Sequence, residues 1–176
     1  MPEGQEGLVQ VLTGNGRGKT TAALGTVLRA VGQGLKVYIV HFMKGTYPYG
    51  EQKALAQLPN ITVDRYGHLE FVDPRNVTTE DKAEAKKALD AAREAISSGE
   101  YDLVVLDEVN IAAAWGLVAL DEVIQLVREK PSNIELILTG RYADPKLIDL
   151  ADLVTEMVEV KHPYQRGIKA RRGFEY

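Results

Sequence analysis

Cysteine is absent from the 176 residues, which excludes disulfides, thiolate zinc sites, iron–sulfur clusters and covalent thiol chemistry together. Histidine is scarce, with three scattered copies, so a histidine-built metal centre is not expected. Tryptophan occurs once. No apolar run approaches the ~20 residues that span a bilayer, and Met1–Gly7 is neither cationic nor apolar enough for a secretion signal. A basic surplus is missing as well. The chain carries 21 lysines and arginines against 25 acids, a net of −4, so bulk charge favours neither a nucleic-acid nor a membrane partner. What is present is 45% hydrophobic and 26% charged residues, the composition of a chain that buries a core. A cytoplasmic enzyme or nucleotide-binding domain remains.

No low-complexity stretch, internal repeat or Pro/Gly-rich linker divides the chain, so a single domain over 1–176 is expected, ending in a basic tail over 162–176. Short β-branched runs alternate with helical patterns. Leu8–Leu12, Lys36–Phe42, Ile61–Tyr66, Asp102–Leu106, Glu135–Leu138 and Leu153–Val160 read as strands. Helices are expected near Lys19–Val31, Glu51–Leu58, Leu120–Glu129 and Lys146–Leu150. The longest follows Thr78 and Thr79, where Ala85, Ala88, Leu89, Ala92, Ala95 and Ile96 recur at three- and four-residue steps. Strands separated by helices predict a mostly parallel sheet covered on both faces, an α/β three-layer sandwich.

Between the first strand and first helix lies Gly14-Asn15-Gly16-Arg17-Gly18-Lys19-Thr20-Thr21. Glycines let successive backbone amides turn toward an anion, and the helix N-terminus adds its dipole. Lys19 supplies a point charge for phosphate oxygens, and the Thr20 hydroxyl is placed to ligate Mg²⁺. The usual phosphate loop has four residues between its first glycine and the Gly-Lys pair. Gly14 and Gly18 enclose three, and Thr13 stands at the expected glycine position, which predicts a tighter loop.

The buried run Leu103–Leu106 leads into Asp107-Glu108, at the carboxyl end of a strand where doubly wound sheets bind ligands. A carboxylate there can hold Mg²⁺ opposite Thr20. Glu108 is favoured, with Asp107 behind it; a solvated acid pair opening the next helix is the plainer alternative. Arg141 and Lys44 also follow strands, and each suits phosphate binding or a surface ion pair. Trp115 reads as core, and Tyr47 and Tyr49 as loop aromatics or pocket lining. Lys169, Arg171 and Arg172 form a small cationic cluster that reads as a solvated tail or as an anchor for an anionic substrate edge.

Several motifs recur in one order: the loop through Ala23 with Gly25, Phe42-Met43-Lys44-Gly45-Thr46, Val105-Leu106-Asp107-Glu108, and Leu138-Thr139-Gly140-Arg141. Ile148-Asp149-Leu150-Ala151-Asp152, Val160-Lys161-His162 and Gly167-Ile168-Lys169-Ala170 complete the series. Together they resemble the P-loop-type ATP:corrinoid adenosyltransferases of cobalamin biosynthesis. The resemblance implies a RecA-like P-loop NTPase fold, a homodimer, and transfer of the 5′-deoxyadenosyl group of ATP to Co(I) of a reduced corrinoid, with triphosphate leaving. It also implies an unusual ATP orientation, with the γ-phosphate where the α-phosphate normally sits. Carried over by position, Gly14 to Thr20 bind triphosphate, with Thr21, Lys44 and Arg141 near it, and Thr20 and Glu108 hold Mg²⁺. A reducing flavoprotein is a compatible partner. Gly67–Val72 stands where the family has an aromatic-rich segment pressing on the corrin, which makes His68 and Phe71 the corrinoid-pocket candidates. Met1–Gly7 is expected to be too short to serve as the arm that covers the corrinoid in many members.

Overall fold

In a computed structural model, residues 4, 6–45, 49–68 and 72–175 are described. Strands β1 (Val9–Thr13), β2 (Val37–His41), β3 (Ile61–Arg65), β4 (Leu103–Asp107), β5 (Glu135–Thr139) and β6 (Leu153–Glu156) form one sheet in the order β3-β2-β4-β5-β1-β6. Every pairing is parallel. The carboxyl ends of all the strands therefore meet along one rim, the rim where open α/β sheets bind ligands.

Side chains alternate between the two faces with the strand period of two. Val104 and Leu106, Leu136 and Leu138, and Val9 and Val11 enter one core, against helices α3 (Thr79–Ser98) and α5 (Leu120–Glu129). Leu103, Val105, Ile137 and Ile39 enter the other, against α1 (Lys19–Gly32) and α2 (Gly50–Leu55). This is the three-layer arrangement expected from the alternation. Two short helices complete it: α4 (Val109–Ala114), directly after β4, and α6 (Pro145–Leu150). The helix that the acid pair Asp107-Glu108 could open is α4, with Glu108 at its N-cap.

The last strand is shorter than the expected Leu153–Val160. It ends at Glu156 because Met157 turns back onto the loop after β1: its N–H donates to Thr13 and its carbonyl accepts from Gly16. Val158 and Val160 are left exposed.

The helices end by different means. Thr78 caps α3, accepting from the Asp81 amide while the Asp81 carboxylate accepts from the Thr78 amide. Glu80 and Asp81 also complement the helix dipole. Thr78→Ala is expected to destabilise the fold by about 1 kcal/mol, read as a lower urea midpoint with unchanged slope. By contrast, α1 begins at Gly18 with no side-chain cap and no acid in its first turn. Its amides are left for another acceptor.

Candidate functional site

The segment joining β1 to α1 wraps the open helix end. Gly14 and Gly18 have φ of 93° and 114°, left-handed values that disfavour other residues. At Gly16 a Cβ would come within 2.7 Å of the Met157 carbonyl that its amide binds. Thr13, standing where the usual loop has glycine, is the last residue of β1, and its hydroxyl accepts from the Ala143 amide. Lys19 is 8% exposed and arches over the loop, donating to the carbonyls of Gly14 at 2.8 Å and Gly16 at 2.7 Å. Burial lowers the lysine's pKa; Glu108 pulls the other way and Arg141 adds to the lowering.

At the end of β4, Asp107 is fully buried and receives four hydrogen bonds. Thr20 Oγ1 and Thr139 Oγ1 donate to one carboxylate oxygen at 2.8 and 2.7 Å. His41 Nδ1 and Lys44 Nζ donate to the other at 2.8 and 2.5 Å. Burial alone would push this carboxyl up, but Lys44 and His41 outweigh it and hold it well below the usual carboxylate range. Asp107 therefore ties the first turn of α1 to β2, β4 and β5. Strand register makes this possible, because β2 and β4 pair His41 with Asp107 directly.

Glu108 has different surroundings. Its φ of 68° is left-handed and unfavourable for a side-chain-bearing residue, and this turn opens α4. Its carboxylate accepts no hydrogen bond from a described residue, and its pKa is raised, first by burial and then by Asp107. Lys44, Lys19 and Arg141 oppose that rise. Glu108 thus faces the loop as an incompletely neutralised hard oxygen donor, while Asp107 is saturated behind it. Glu108 and Thr20 line the same cavity, and both carry hard oxygen atoms of the kind divalent cations prefer. Among the described residues, no group of three or more His, Asp or Glu is arranged to hold a metal. A cation there would need most of its ligands from water or from a bound anion.

The sequence model of the family described as "ATP:corrinoid adenosyltransferase BtuR/CobO/CobP" matches residues 5–176. The chain belongs to this family. The corrinoid adenosyltransferase of Escherichia coli K12 is 37% identical, over 98% of this chain and 87% of its own length. That of Pseudomonas aeruginosa PAO1 is also 37% identical, over 98% and 85%. An uncharacterised Nostoc protein is 42% identical over 89% of this chain, which spans 45% of the Nostoc protein's length. In fold, the chain is similar to the RadB recombinase, with a TM-score of 0.55, 18% identity, and coverage of 90% of this chain and 77% of that one. The architecture is accordingly the RecA-like P-loop type.

In this corrinoid adenosyltransferase family member, two cavities meet at the loop and share Arg17, Lys19, Lys44, Tyr49, Glu108 and Glu175. One, of 590 Å³, runs along the start of α1 past Thr20, Thr21 and Leu24 toward Phe174. The other, of 480 Å³, passes Asn15 and Arg141 and has an apolar wall of Phe42, Met43, Val72, Ile111 and Trp115. The structure thus brings Gly16 through Thr21, Lys44, Glu108, Arg141 and Asn15 to one rim. Trp115 is both partner of the core and wall of the second cavity.

Arg17 does not point into the loop. Its guanidinium donates to Glu175, at 2.8 Å, and to the Phe174 carbonyl. The C-terminal cluster is therefore structured: Arg171 also binds Glu175 and lies 5.0 Å from the centre of the Phe174 ring. His68 is exposed and lines neither cavity among the described residues; its main chain packs on Gly45, where a Cβ would lie 2.5 Å from the His68 carbonyl. Phe71 and Tyr47 lie outside the described residues.

Sequence reasoning assigned no role to His41, Thr139 or Glu175. Thr139 had a signal, since it follows a buried strand on the same rim. His41 and Glu175 had none, because their partners are 66 and 158 residues away.

Proposed function

We infer that this chain transfers the 5′-deoxyadenosyl group of ATP to the Co(I) centre of a reduced corrinoid. The observation that carries the reading is the uncapped, lysine-bearing phosphate cradle in a chain that matches the family from residue 5 to 176. The cobalt electron pair attacks C5′, a cobalt–carbon bond forms, the C5′–oxygen bond breaks, and triphosphate departs with that bond's electrons.

Co(I) is itself a strong nucleophile, so the protein needs no general base. Its work is placement and charge neutralisation. The amides of the Gly14–Thr20 loop, apart from that of Gly16, which already donates to Met157, and the Lys19 ammonium receive the triphosphate, with Lys44 and Arg141 on its flanks. Lys19 would exchange the Gly14 and Gly16 carbonyls for phosphate oxygens. Mg²⁺, held by Thr20 and Glu108 with phosphate oxygens, would neutralise the leaving group. The apolar wall from Phe42 to Trp115 lowers the polarity on one side of the loop, which strengthens these charge interactions.

Glu108→Gln is expected to raise the Mg²⁺ requirement by roughly tenfold or more, with little change in folding, since the amide is a poor ligand for a hard cation. An unchanged metal dependence would transfer the ligand role to Asp107. A homodimer in the cytoplasm, supplied with Co(I) by a reducing flavoprotein, completes the reading. Exposed Leu153 and Val154 on the edge strand β6, with Val158 and Val160 beyond it, are the apolar surface a second copy would cover. No described helix is long and apolar enough to cross a membrane.

The reading is tested by anaerobic incubation with Mg-ATP and chemically reduced corrinoid. The expected result is the spectrum of a cobalt–carbon-bonded corrinoid, formed only with both substrates. ATP consumption with no corrinoid product would favour an ordinary ATPase or kinase.

A further inference from the structure

The Thr20–Asp107 pair, next to which a metal would bind, already has a cation. Lys44 Nζ lies 2.5 Å from Asp107 Oδ2 and 3.3 Å from Thr20 Oγ1, with the lysine side chain 12% exposed. The backbone that delivers it is fixed: the Lys44 and Gly45 amides both donate to the Tyr66 carbonyl, after a left-handed turn at Met43. Its four-carbon stem is not fixed in the same way. Lys44 lines both cavities, so its ammonium can reach an anion in either while its backbone stays in place.

We propose that Lys44 is a resident counter-cation that blocks free metal from the Thr20–Glu108 site, so that metal enters only together with a polyphosphate, onto which the ammonium then moves. The proposal rests on the phosphate-binding reading above and adds an order of events to it. Two observations carry it. An ammonium beside the Thr20 hydroxyl repels a divalent cation from the same oxygen, and the burial of Lys44 and Asp107 weakens the screening of that repulsion. No described cluster supplies three acidic or histidine ligands to overcome that repulsion. A polyphosphate changes both conditions, because it brings oxygen ligands for the metal and an anionic acceptor for Lys44.

The test uses the full chain and Mn²⁺ as a paramagnetic substitute for Mg²⁺, with inorganic triphosphate as the phosphate probe and no corrinoid. Binding of Mn²⁺ is read by electron paramagnetic resonance. Wild-type protein is expected to bind Mn²⁺ at least tenfold more weakly alone than with triphosphate. Lys44→Met is expected to bind Mn²⁺ alone at least tenfold more tightly than wild type does, and to lose that gain when Glu108→Gln is added. A Lys44→Met protein no better than wild type at binding free Mn²⁺ would overturn the proposal, as would wild-type protein that needs no triphosphate.

Lys44→Met leaves Asp107 three of its four hydrogen bonds, but its folding need not decide the matter. In wild-type protein, the Lys44 side-chain amine resonance should shift with Mg²⁺ plus triphosphate and stay in place with Mg²⁺ alone. An amine resonance that does not respond to Mg²⁺ plus triphosphate contradicts the movement. Failure of triphosphate to bind at all would instead count against the phosphate-binding reading, which separates the two.

Discussion

Asp107→Ala is expected to destabilise the fold by about 3–5 kcal/mol, the cost of removing one partner from a buried ion pair. In a chain of this length that corresponds to a melting temperature lower by roughly 10 °C. The cost arises because Lys44 and His41 are left buried beside an empty volume, while Thr20 and Thr139 lose the acceptor that aligns them. The sign of the pH dependence follows from the depressed carboxyl. Its folded-state pKa lies below the unfolded value, so its stabilisation is fully present above the ordinary carboxylate range and lost only as pH falls through the depressed value. The gap between wild type and variant should therefore hold constant from pH 8 down to pH 5, which thermal melts across that interval would check. A gap that closed by pH 6 would mean another group carries the network. Asp107→Asn should lose turnover as well, since its amide group has to turn a donor toward either Lys44 or the two hydroxyls.

Lys19→Ala has the opposite profile. Turnover is expected to fall about 10²-fold, equivalent to roughly 3 kcal/mol of charge stabilisation on the departing triphosphate, with only a small change in melting temperature. The ammonium's present partners are the loop carbonyls of Gly14 and Gly16, and these sit beside a cavity into which water can follow. Steady-state kinetics at saturating ATP, alongside a thermal melt, distinguish this from general loop collapse. An active variant would mean that the cradle does not receive the leaving group.

The loop and the acidic strand end were legible in the sequence because their chemistry is local. Glycine spacing, Lys19 and Thr20 lie within one turn of a strand–helix junction, and Asp107-Glu108 ends a continuous apolar run. The left-handed turn that sets Glu108 apart from Asp107 is local too, but the saturation of Asp107 is not. The rest depends on strand order. His41 reads as one more residue of a buried strand until β2 is placed next to β4, and Thr139 becomes a partner of Asp107 only because β5 lies between β4 and β1. The C-terminal cluster is solvated, with Lys169, Arg171 and Arg172 exposed, but its partners also depend on how the chain returns. Its charges suggest the solvated tail but not that Glu175 returns to Arg17 or that Arg171 lies over Phe174.

The claim on which the account depends is attack at carbon, with the cradle serving as a leaving-group site. ATP carrying ¹⁸O in the oxygen that bridges C5′ and the α-phosphorus tests it in one measurement, by mass spectrometry of the products after anaerobic turnover with reduced corrinoid. With attack at carbon, the label leaves entirely in intact triphosphate, in amounts equal to the adenosylated corrinoid. Label retained on the nucleoside, or ADP with orthophosphate as the corrinoid-dependent products, would contradict it.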